Sequence, residues 1–344
     1  MKIGILNFTL DKLREVFKDY GIPAFRANQI FMWIYKFGKT SFFDMTNIKK
    51  DLQTKLNDMF YIYRPEVAKI SKSIDGTIKF LFELKDGNKI ESVFIPEEKR
   101  NTICISSQVG CLVGCKFCNT GYNGFVRNLT MEEIITQFLA VKDQLNLWNN
   151  IDDRLSNIVF MGMGEPLFNY QNVLDSIENI ISDENDGLSR RKITVSTSGI
   201  VPILKKIAKD LPCRLAISLH APNDEIRDKI MPINKKYNIS SILEACKDYT
   251  KYHPYLKITF EYLLLKDIND SKKSALELVK LLKGINAKVN LIQFNSWEGC
   301  NFQPSERVKE FAKILKSSGL EAPIRSRRGE DIMAACGQLS SNNR

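Results

Sequence analysis

The sequence predicts an α/β protein whose main part is a partial (β/α)6 barrel. From Thr102 onward, six candidate strands alternate with amphipathic helices, which is typical of a parallel sheet with helical crossovers. Six units are too few for a closed eight-stranded barrel, and a doubly wound sheet is the alternative. We expect a helical accessory domain at 1–62, a small β extension or linker at 63–100, and the barrel with a C-terminal catalytic segment at 101–340.

Three helices are predicted in the accessory domain, at Asp11–Tyr20, from Pro23 to a stop at Gly38, and at about Ile48–Phe60. Apolar side chains recur along each of them at helical spacing. The residues that follow alternate as in a β-meander, with predicted strands at Ala68–Ser73, Thr77–Leu84 and Lys89–Ile95 and a turn at Asp86-Gly87.

The predicted barrel strands are Thr102–Ser106, Asn157–Met161, Lys192–Thr197, Arg214–Leu219, Lys257–Leu264 and Lys288–Gln293. Helices expected between or after them include Thr130–Leu147, Ser240–Lys251, Ser271–Lys283 and Ser305–Lys316. Thr130 and Glu133 have the spacing of a capping box. In a parallel α/β sheet, the chemistry is expected at the C-terminal ends of the strands.

Composition excludes several classes of protein. The chain has 344 residues, 44% of them hydrophobic, enough for a sizeable core, and no apolar run is long enough to span a membrane. Met1 to Leu10 lacks the features of a signal peptide, so we expect a cytoplasmic protein. The net charge of +10 moderately favours a polyanionic partner such as nucleic acid.

The eight cysteines and two histidines are the main chemical clue. In a cytoplasmic chain, cysteines indicate metal or redox chemistry more than a disulfide framework. Cys111, Cys115 and Cys118 form a C-x3-C-x2-C motif directly after the first barrel strand. Three thiolates suit a four-iron cluster with one iron open to a further ligand. A structural zinc site with a fourth ligand elsewhere is the alternative.

This motif resembles that of the radical SAM superfamily, and further segments resemble one family within it, the RlmN/Cfr group of adenine methyltransferases. The segments that carry the resemblance are Ser106–Cys118, Met161–Pro166, Val195–Gly199, Ile217–Asn223 and Arg328–Leu339. The family implies a [4Fe–4S] cluster and S-adenosylmethionine (SAM) as cofactors. It also implies methylation of carbon 2 of adenosine in 23S rRNA and in tRNA, with two SAM molecules used per turnover.

The resemblance also implies roles for individual residues. Cys111, Cys115 and Cys118 bind the cluster; Cys336 accepts a methyl group and adds it to the base, and Cys104 releases the product through a transient disulfide. Glu91 matches the family's proton acceptor. The implied SAM contacts are Gly164, Glu165, Ser196, Ser218, Leu219, His220 and Asn295. Cys213, Cys246 and Cys300 match no functional position and are interpreted as packing or incidental residues.

Two other functions remain open at this point. A Cfr-type enzyme methylates carbon 8 and tends to carry an extra cysteine where this chain has Val109. A non-catalytic RNA-binding protein with a structural metal would also fit the charge and the cysteines. The expected partners are 23S rRNA, tRNA and an electron donor such as flavodoxin, with no membrane, and the protein is expected to be a monomer.

Overall fold

The computed structural model describes residues 2–148, 154–185, 187–210 and 213–340. Its α-helices are α1 Leu10–Asp19, α2 Phe25–Tyr35, α3 Lys50–Met59, α4 Asn119–Tyr122, α5 Met131–Gln144, α6 Tyr170–Ile181, α7 Val201–Asp210, α8 Asp224–Ile230, α9 Ile239–Tyr252, α10 Lys272–Leu282 and α11 Val308–Ser317. None of the helices in these residues is both long and apolar enough to cross a bilayer.

The strands are β1 Ile3–Gly4, β2 Phe60–Tyr61, β3 Glu66–Lys72, β4 Ile78–Glu83, β5 Lys89–Glu97, β6 Arg100–Cys104, β7 Gln108–Gly110, β8 Phe125–Asn128, β9 Leu155–Phe160, β10 Ile193–Thr197, β11 Arg214–Ser218, β12 Ile258–Leu264 and β13 Ala287–Gln293. Nine of them form one sheet in the order β13-β12-β11-β10-β9-β6-β5-β4-β3, and β1-β2 and β7-β8 form two small pairs.

The six predicted barrel strands are confirmed as β6 and β9 to β13, with boundaries within two residues of the prediction. They are parallel and lie in sequence order without a reversal. A doubly wound sheet would reverse its strand order at a switch point. The prediction of a partial (β/α)6 barrel is therefore confirmed, and the doubly wound alternative is wrong.

The β extension continues the barrel sheet. Strands β3, β4 and β5 form an antiparallel meander, and β5 pairs antiparallel with β6, so that Val93 lies opposite Cys104. At the other end of the sheet, residues 321–325 run along the edge of β13 through three backbone hydrogen bonds. The C-terminal segment thereby returns to the mouth of the barrel.

The N-terminal helices pack against the barrel through α6. Asn179 donates to the carbonyl of Phe8 and to the hydroxyl of Tyr35, both at 3.0 Å, and accepts from the backbone of Leu10. Asn179 and Tyr35 are buried, so these bonds satisfy polar groups that would otherwise be costly. The three predicted helices are confirmed as α1, α2 and α3.

A side-chain cap marks the start of α1, α5, α8, α9 and α10. Thr130 and Glu133 form the predicted capping box at the start of α5. The predicted helix start at Ser305 is wrong, since α11 begins at Val308. The Ser305 hydroxyl instead donates to Asp270 at 2.6 Å and accepts from the backbone of Arg307, which holds the loop before the helix.

Candidate functional site

The three cysteines of the motif lie in a loop that the small β7-β8 ribbon holds at the C-terminal end of β6. The backbone of Cys111 donates to Gly124 at 2.8 Å, and that of Lys116 donates to Ile230 at 3.0 Å. The indole of Trp297 donates to the carbonyl of Phe117 at 3.0 Å. The loop is therefore fixed from three sides while its cysteine side chains remain partly accessible.

The thiols of the loop are close enough to influence one another. The pKa of Cys111 is raised to about 12, mainly by burial and in part by a charge on Cys118. Burial also raises the pKa of Cys115 and of Cys118, and both other motif cysteines add to the effect at Cys115. These thiols would stay protonated without a strong positive charge beside them, and bound iron supplies such a charge.

Within the residues the structure describes, no three Cys, His, Asp or Glu side chains converge closely enough to hold a single metal ion. A zinc ion would need its sulfur ligands all at about 2.3 Å from one point. A four-iron cluster places each thiolate on a different iron, so its ligands are more widely spaced.

Gly164 and Glu165 form the turn after β9 that lies against β7. Gly164 has φ +97°, and a Cβ there would come within 2.5 Å of Gln108, so only glycine allows this approach. The buried carboxylate of Glu165 accepts from the backbone of Leu167 at 3.0 Å and from that of Ser198 at 2.7 Å. Burial raises the pKa of Glu165, and the hydrogen bond from Ser198 opposes this shift.

The other predicted SAM contacts also lie at the C-terminal ends of the parallel strands. Ser196 is on β10, Ser218 ends β11, Leu219 and His220 follow it, and Asn295 follows β13. Asn295 is buried, and its Oδ1 has no hydrogen-bond partner among the described residues; the same holds for Ser198 Oγ. Buried polar atoms of this kind normally have a partner, which fits a polar ligand at this end of the barrel.

His220 is held in place by its surroundings. Its Nδ1 accepts from the backbone of Leu263 at 3.0 Å, and its ring lies edge-on to Phe117, with centroids 4.9 Å apart. Burial lowers the pKa of His220 to about 3, and Arg227 adds to the effect. The imidazole is therefore neutral at physiological pH, and it links the strand ends to the cysteine loop.

Arg227 is a buried residue of the site that the sequence analysis missed. Its guanidinium donates to the carbonyls of Ser198, Leu219 and Ser218 at 2.6 to 3.1 Å and also reaches Asn234 and Tyr237. It thus joins the ends of β10 and β11. Burial lowers the pKa of Arg227 to about 10, so it remains charged at neutral pH. The feature of the sequence that could have indicated this role is that Arg227 follows shortly after His220.

Replacing Arg227 by methionine is expected to destabilise the fold by about 3–5 kcal/mol, because several buried carbonyl groups lose their donor. Lysine should recover only part of this, since it lacks the planar fork of donors. Urea unfolding measures the loss. The matched control is Arg214→Met at an exposed position of β11, which should stay within about 0.5 kcal/mol of the wild type. Equal stability of the two variants would contradict the role given to Arg227.

The segment after Cys336 is hydrogen-bonded directly to the cysteine loop. Asn119 donates through its backbone to Gly337 at 2.7 Å and through its side chain to Gln338 at 3.0 Å. The hydroxyl of Thr120 donates to Leu339 at 2.7 Å. Cys336 is exposed, yet enough protein surrounds its thiol for burial to raise its pKa; a charge on Cys118 also raises it, and Arg325 lowers it.

Cys104 ends β6, and Cys336 lies close enough for a charge on it to act on the Cys104 thiol. The pKa of Cys104 is raised to about 12, mainly by burial and in part by a charge on Cys336. Arg325 opposes this rise. Arg325 is thus near both thiols, and its guanidinium also lies 3.7 Å from the sulfur of Met161. Of the three arginines before Cys336, only Arg325 acts on its thiol, because Arg327 faces Glu330 and Arg328 faces Asp75.

Glu91 lies on β5 and is 1% exposed. Its Oε2 accepts from the backbone of Ser340 at 2.9 Å, so the end of the C-terminal segment contacts it directly. Its Oε1 lies 2.9 Å from the ammonium of Lys79 in an ion pair that provides no directional hydrogen bond. Lys79 in turn donates to the carbonyl of Met333 at 3.1 Å, three residues before Cys336.

All eight cysteines are free thiols in this structure. Cys213 and Cys246 are fully buried, as the packing interpretation predicts. Cys300 is closer to the site than the sequence suggested, because its Sγ lies 3.8 Å from the carbonyl of Lys116 and it raises the pKa of Cys118.

Comparison with known proteins gives the family of the chain. The model described as the ribosomal RNA large subunit methyltransferase N-terminal domain matches residues 3–62, and the radical SAM superfamily model matches residues 105–279. A "Dual-specificity RNA methyltransferase RlmN" of Rhodospirillum rubrum is 45% identical, covering 99% of this chain and 81% of that protein. The chain belongs to the RlmN family of radical SAM methyltransferases.

Other relatives agree with this membership. The protein of the same description from Dinoroseobacter shibae is 46% identical over 99% of this chain and 90% of its own length. A crystal structure of a radical SAM methyltransferase from Sphaerobacter thermophilus matches with a TM-score of 0.92 and 39% identity, covering 99% of this chain and all of that one. The enzyme interpretation is therefore confirmed, against that of a non-catalytic RNA-binding protein.

As a member of this family, the protein uses a [4Fe–4S] cluster and SAM. The observed residues fit both groups. Burial and the neighbouring thiols raise the pKa of Cys115, and the positive charge of iron would favour its thiolate. The unpartnered Asn295 and Ser198 atoms lie at the strand ends. When bound, the cluster supplies the electron that splits SAM into methionine and a 5′-deoxyadenosyl radical.

Proposed function

We propose that this protein methylates carbon 2 of an adenosine in 23S rRNA, and also in tRNA, by way of a methylated Cys336. The arrangement of Cys336 between Cys104 and the cysteine loop carries the proposal. The descriptions of the relatives, which name dual-specificity RNA methyltransferases, support the RNA substrates. The N-terminal family match names ribosomal RNA as well.

The chemistry of the substrate explains why such a site is needed. Carbon 2 of adenine is electron-poor and has no lone pair, so it cannot attack the methyl group of SAM as a nucleophile. A thiolate can, and Cys336 is accessible and stabilised in its charged form by Arg325. We therefore assign the first methyl transfer to Cys336, and the carbon that reaches the base comes from its S-methyl group.

Release of the product then falls to Cys104. Its thiolate attacks the sulfur of Cys336, an S–S bond forms, and the C–S bond breaks so that the carbon leaves with the electron pair and is protonated. A charge on Cys336 raises the pKa of Cys104, so the two thiols lie near each other, which supports this pairing. Glu91, buried and bonded to Ser340, is assigned as the proton acceptor for carbon 2.

Several contacts of this enzyme are proposed on the same basis. Cys111, Cys115 and Cys118 hold the cluster, and Gly164, Glu165, Ser196, Ser218, Leu219, His220 and Asn295 line the SAM site. The electron donor is a protein such as flavodoxin, and the enzyme acts as a cytoplasmic monomer.

Anaerobic reconstitution followed by an assay on RNA tests the function. The reconstituted protein is expected to hold iron and sulfide, to cleave SAM with a reductant, and to produce 2-methyladenosine in nuclease digests analysed by mass spectrometry. Formation of 8-methyladenosine would identify a Cfr-type enzyme, although Val109 stands where that type carries a cysteine. Bound zinc without iron, and no methylated adenosine, would overturn the proposal.

A further inference from the structure

A cavity of about 370 Å³ adjoins the site on the side of Glu91, between the meander strands and the segment before Cys336. It is lined by the meander strands and by the segment before Cys336, specifically by Lys69, Ser71, Lys79, Leu81, Glu91, Asp331, Ile332 and Met333. Its volume falls in the range of about 300–1,000 Å³ that is usual for small-molecule sites. We call it the meander cavity.

The register of the sheet places the floor of the meander cavity on the same face as Cys104. Lys69, Leu81 and Glu91 lie opposite one another on β3, β4 and β5 and form one row. Ser71, Lys79, Val93 and Cys104 form the next row. Since paired residues in a sheet present their side chains on the same face, the cavity and Cys104 share one surface. A strand of RNA with its target base at Cys336 would have its neighbouring nucleotide over this floor.

Among the described residues, the charged side chains that line the cavity differ in whether they have a partner. Lys79 is paired with Glu91, and Asp331 accepts from the hydroxyl of Ser73 at 2.6 Å and from the backbone of Ile74. Lys69 is exposed and has no anionic partner in the described part of the chain. Glu91 Oε1, almost completely buried, has no hydrogen-bond partner there. The cavity therefore offers an unpaired ammonium at its rim, while the carboxylate in its floor is neutralised by Lys79.

We propose that the meander cavity is a subsite for one nucleotide that flanks the target adenosine, with its phosphate at Lys69. An ammonium without a partner attracts a phosphate. Leu81, Ile332 and Met333 provide apolar contact for the sugar or base. This proposal rests on the proposed function and specifies how its RNA substrate is held.

The test compares Lys69→Ala with Lys72→Ala, an exposed lysine on the same strand next to Ser71 and on the other face. The dissociation constant is measured for a stem-loop RNA containing the target adenosine, over a range of salt concentrations. Lys69→Ala should weaken binding on the order of fivefold and reduce the salt slope by about 0.7–0.9, the value for one lost phosphate contact. Lys72→Ala should bind as the wild type does. Equal effects of the two variants would overturn the subsite.

A second measurement identifies the phosphate. Each phosphate near the target adenosine is replaced in turn by a neutral methylphosphonate, and binding is measured with wild type and with Lys69→Ala. At one flanking position, wild-type protein should bind the modified RNA as weakly as Lys69→Ala binds the unmodified RNA. At that position, Lys69→Ala should lose no further affinity for the modified RNA. Additive losses at every position would refute the proposal.

These outcomes are separable from failure of the proposed function itself. In the proposed mechanism, methyl transfer from SAM to Cys336 involves no RNA, and peptide mass spectrometry detects it. If wild type neither methylates Cys336 nor modifies the RNA, the proposed function fails. If wild type does both while Lys69→Ala binds and modifies RNA normally, only the subsite fails.

Discussion

Replacing Cys104 by alanine is expected to trap the RNA substrate on Cys336. The variant retains the thiol that takes up the methyl group and the residues around the cysteine loop, so the carbon–carbon bond to the base can still form. It lacks the thiolate that would break the carbon–sulfur bond. Turnover should fall on the order of a hundredfold or more, and denaturing gels should show up to one RNA attached per protein molecule.

The matched control for this experiment is Cys246→Ala, which removes an equally buried thiol from α9 far along the sequence from the motif. It should turn over normally and show no attached RNA. Removing Cys336 as well as Cys104 should abolish the adduct. A Cys104→Ala protein that turns over at the wild-type rate would eliminate the two-cysteine mechanism.

Replacing Arg325 by methionine is expected to slow methyl transfer from SAM to Cys336 about ten- to a hundredfold at neutral pH. Burial already raises the pKa of Cys336, and Arg325 is the group that opposes this rise. Without it the pKa increases further, and a smaller fraction of the thiol is ionised and reactive. Because the thiolate is the nucleophile, the rate should recover as the pH rises, so that the pH profile shifts to higher pH.

Mass spectrometry of the Cys336 peptide in a single turnover with labelled SAM measures this rate at each pH. Arg325→Lys should retain much of the wild-type profile, since it keeps a positive charge. Arg327→Met serves as control, because Arg327 is paired with Glu330. Profiles of Arg325→Met and wild type that coincide would show that the thiol does not depend on this guanidinium.

Much of the fold could be predicted from the sequence because its signals are local. The capping box at Thr130 and the alternation of apolar strands with amphipathic helices are properties of short segments. The start of α11 was misplaced for the same reason. Ser305 has the local character of a cap, but the distant Asp270 takes its hydroxyl, and only the tertiary structure contains that contact.

The residues of the site also divide into those that a local sequence pattern indicates and those whose role depends on tertiary contacts. The spacing of Cys111, Cys115 and Cys118 is visible in the sequence, whereas the roles of Arg227 and Lys79 are not. Arg227 acts by reaching carbonyls on two different strands, and Lys79 acts by joining Glu91 to the backbone before Cys336. A single arginine or lysine in a sequence is usually a solvated surface residue. The roles of Arg227 and Lys79 follow only from the groups that surround them in the fold.

The hydrogen bonds that hold the Cys336 segment join residues far apart in the chain, 219 positions for Thr120 with Leu339 and 249 for Glu91 with Ser340. Contacts of such separation carry a high loop-closure cost, so this segment is expected to dock after the sheet has formed. A newly made molecule would then pass through a stage in which the cysteine loop is uncovered. In that interval Cys111, Cys115 and Cys118 are expected to be more accessible than after Asn119 and Thr120 have bonded to residues 337–339.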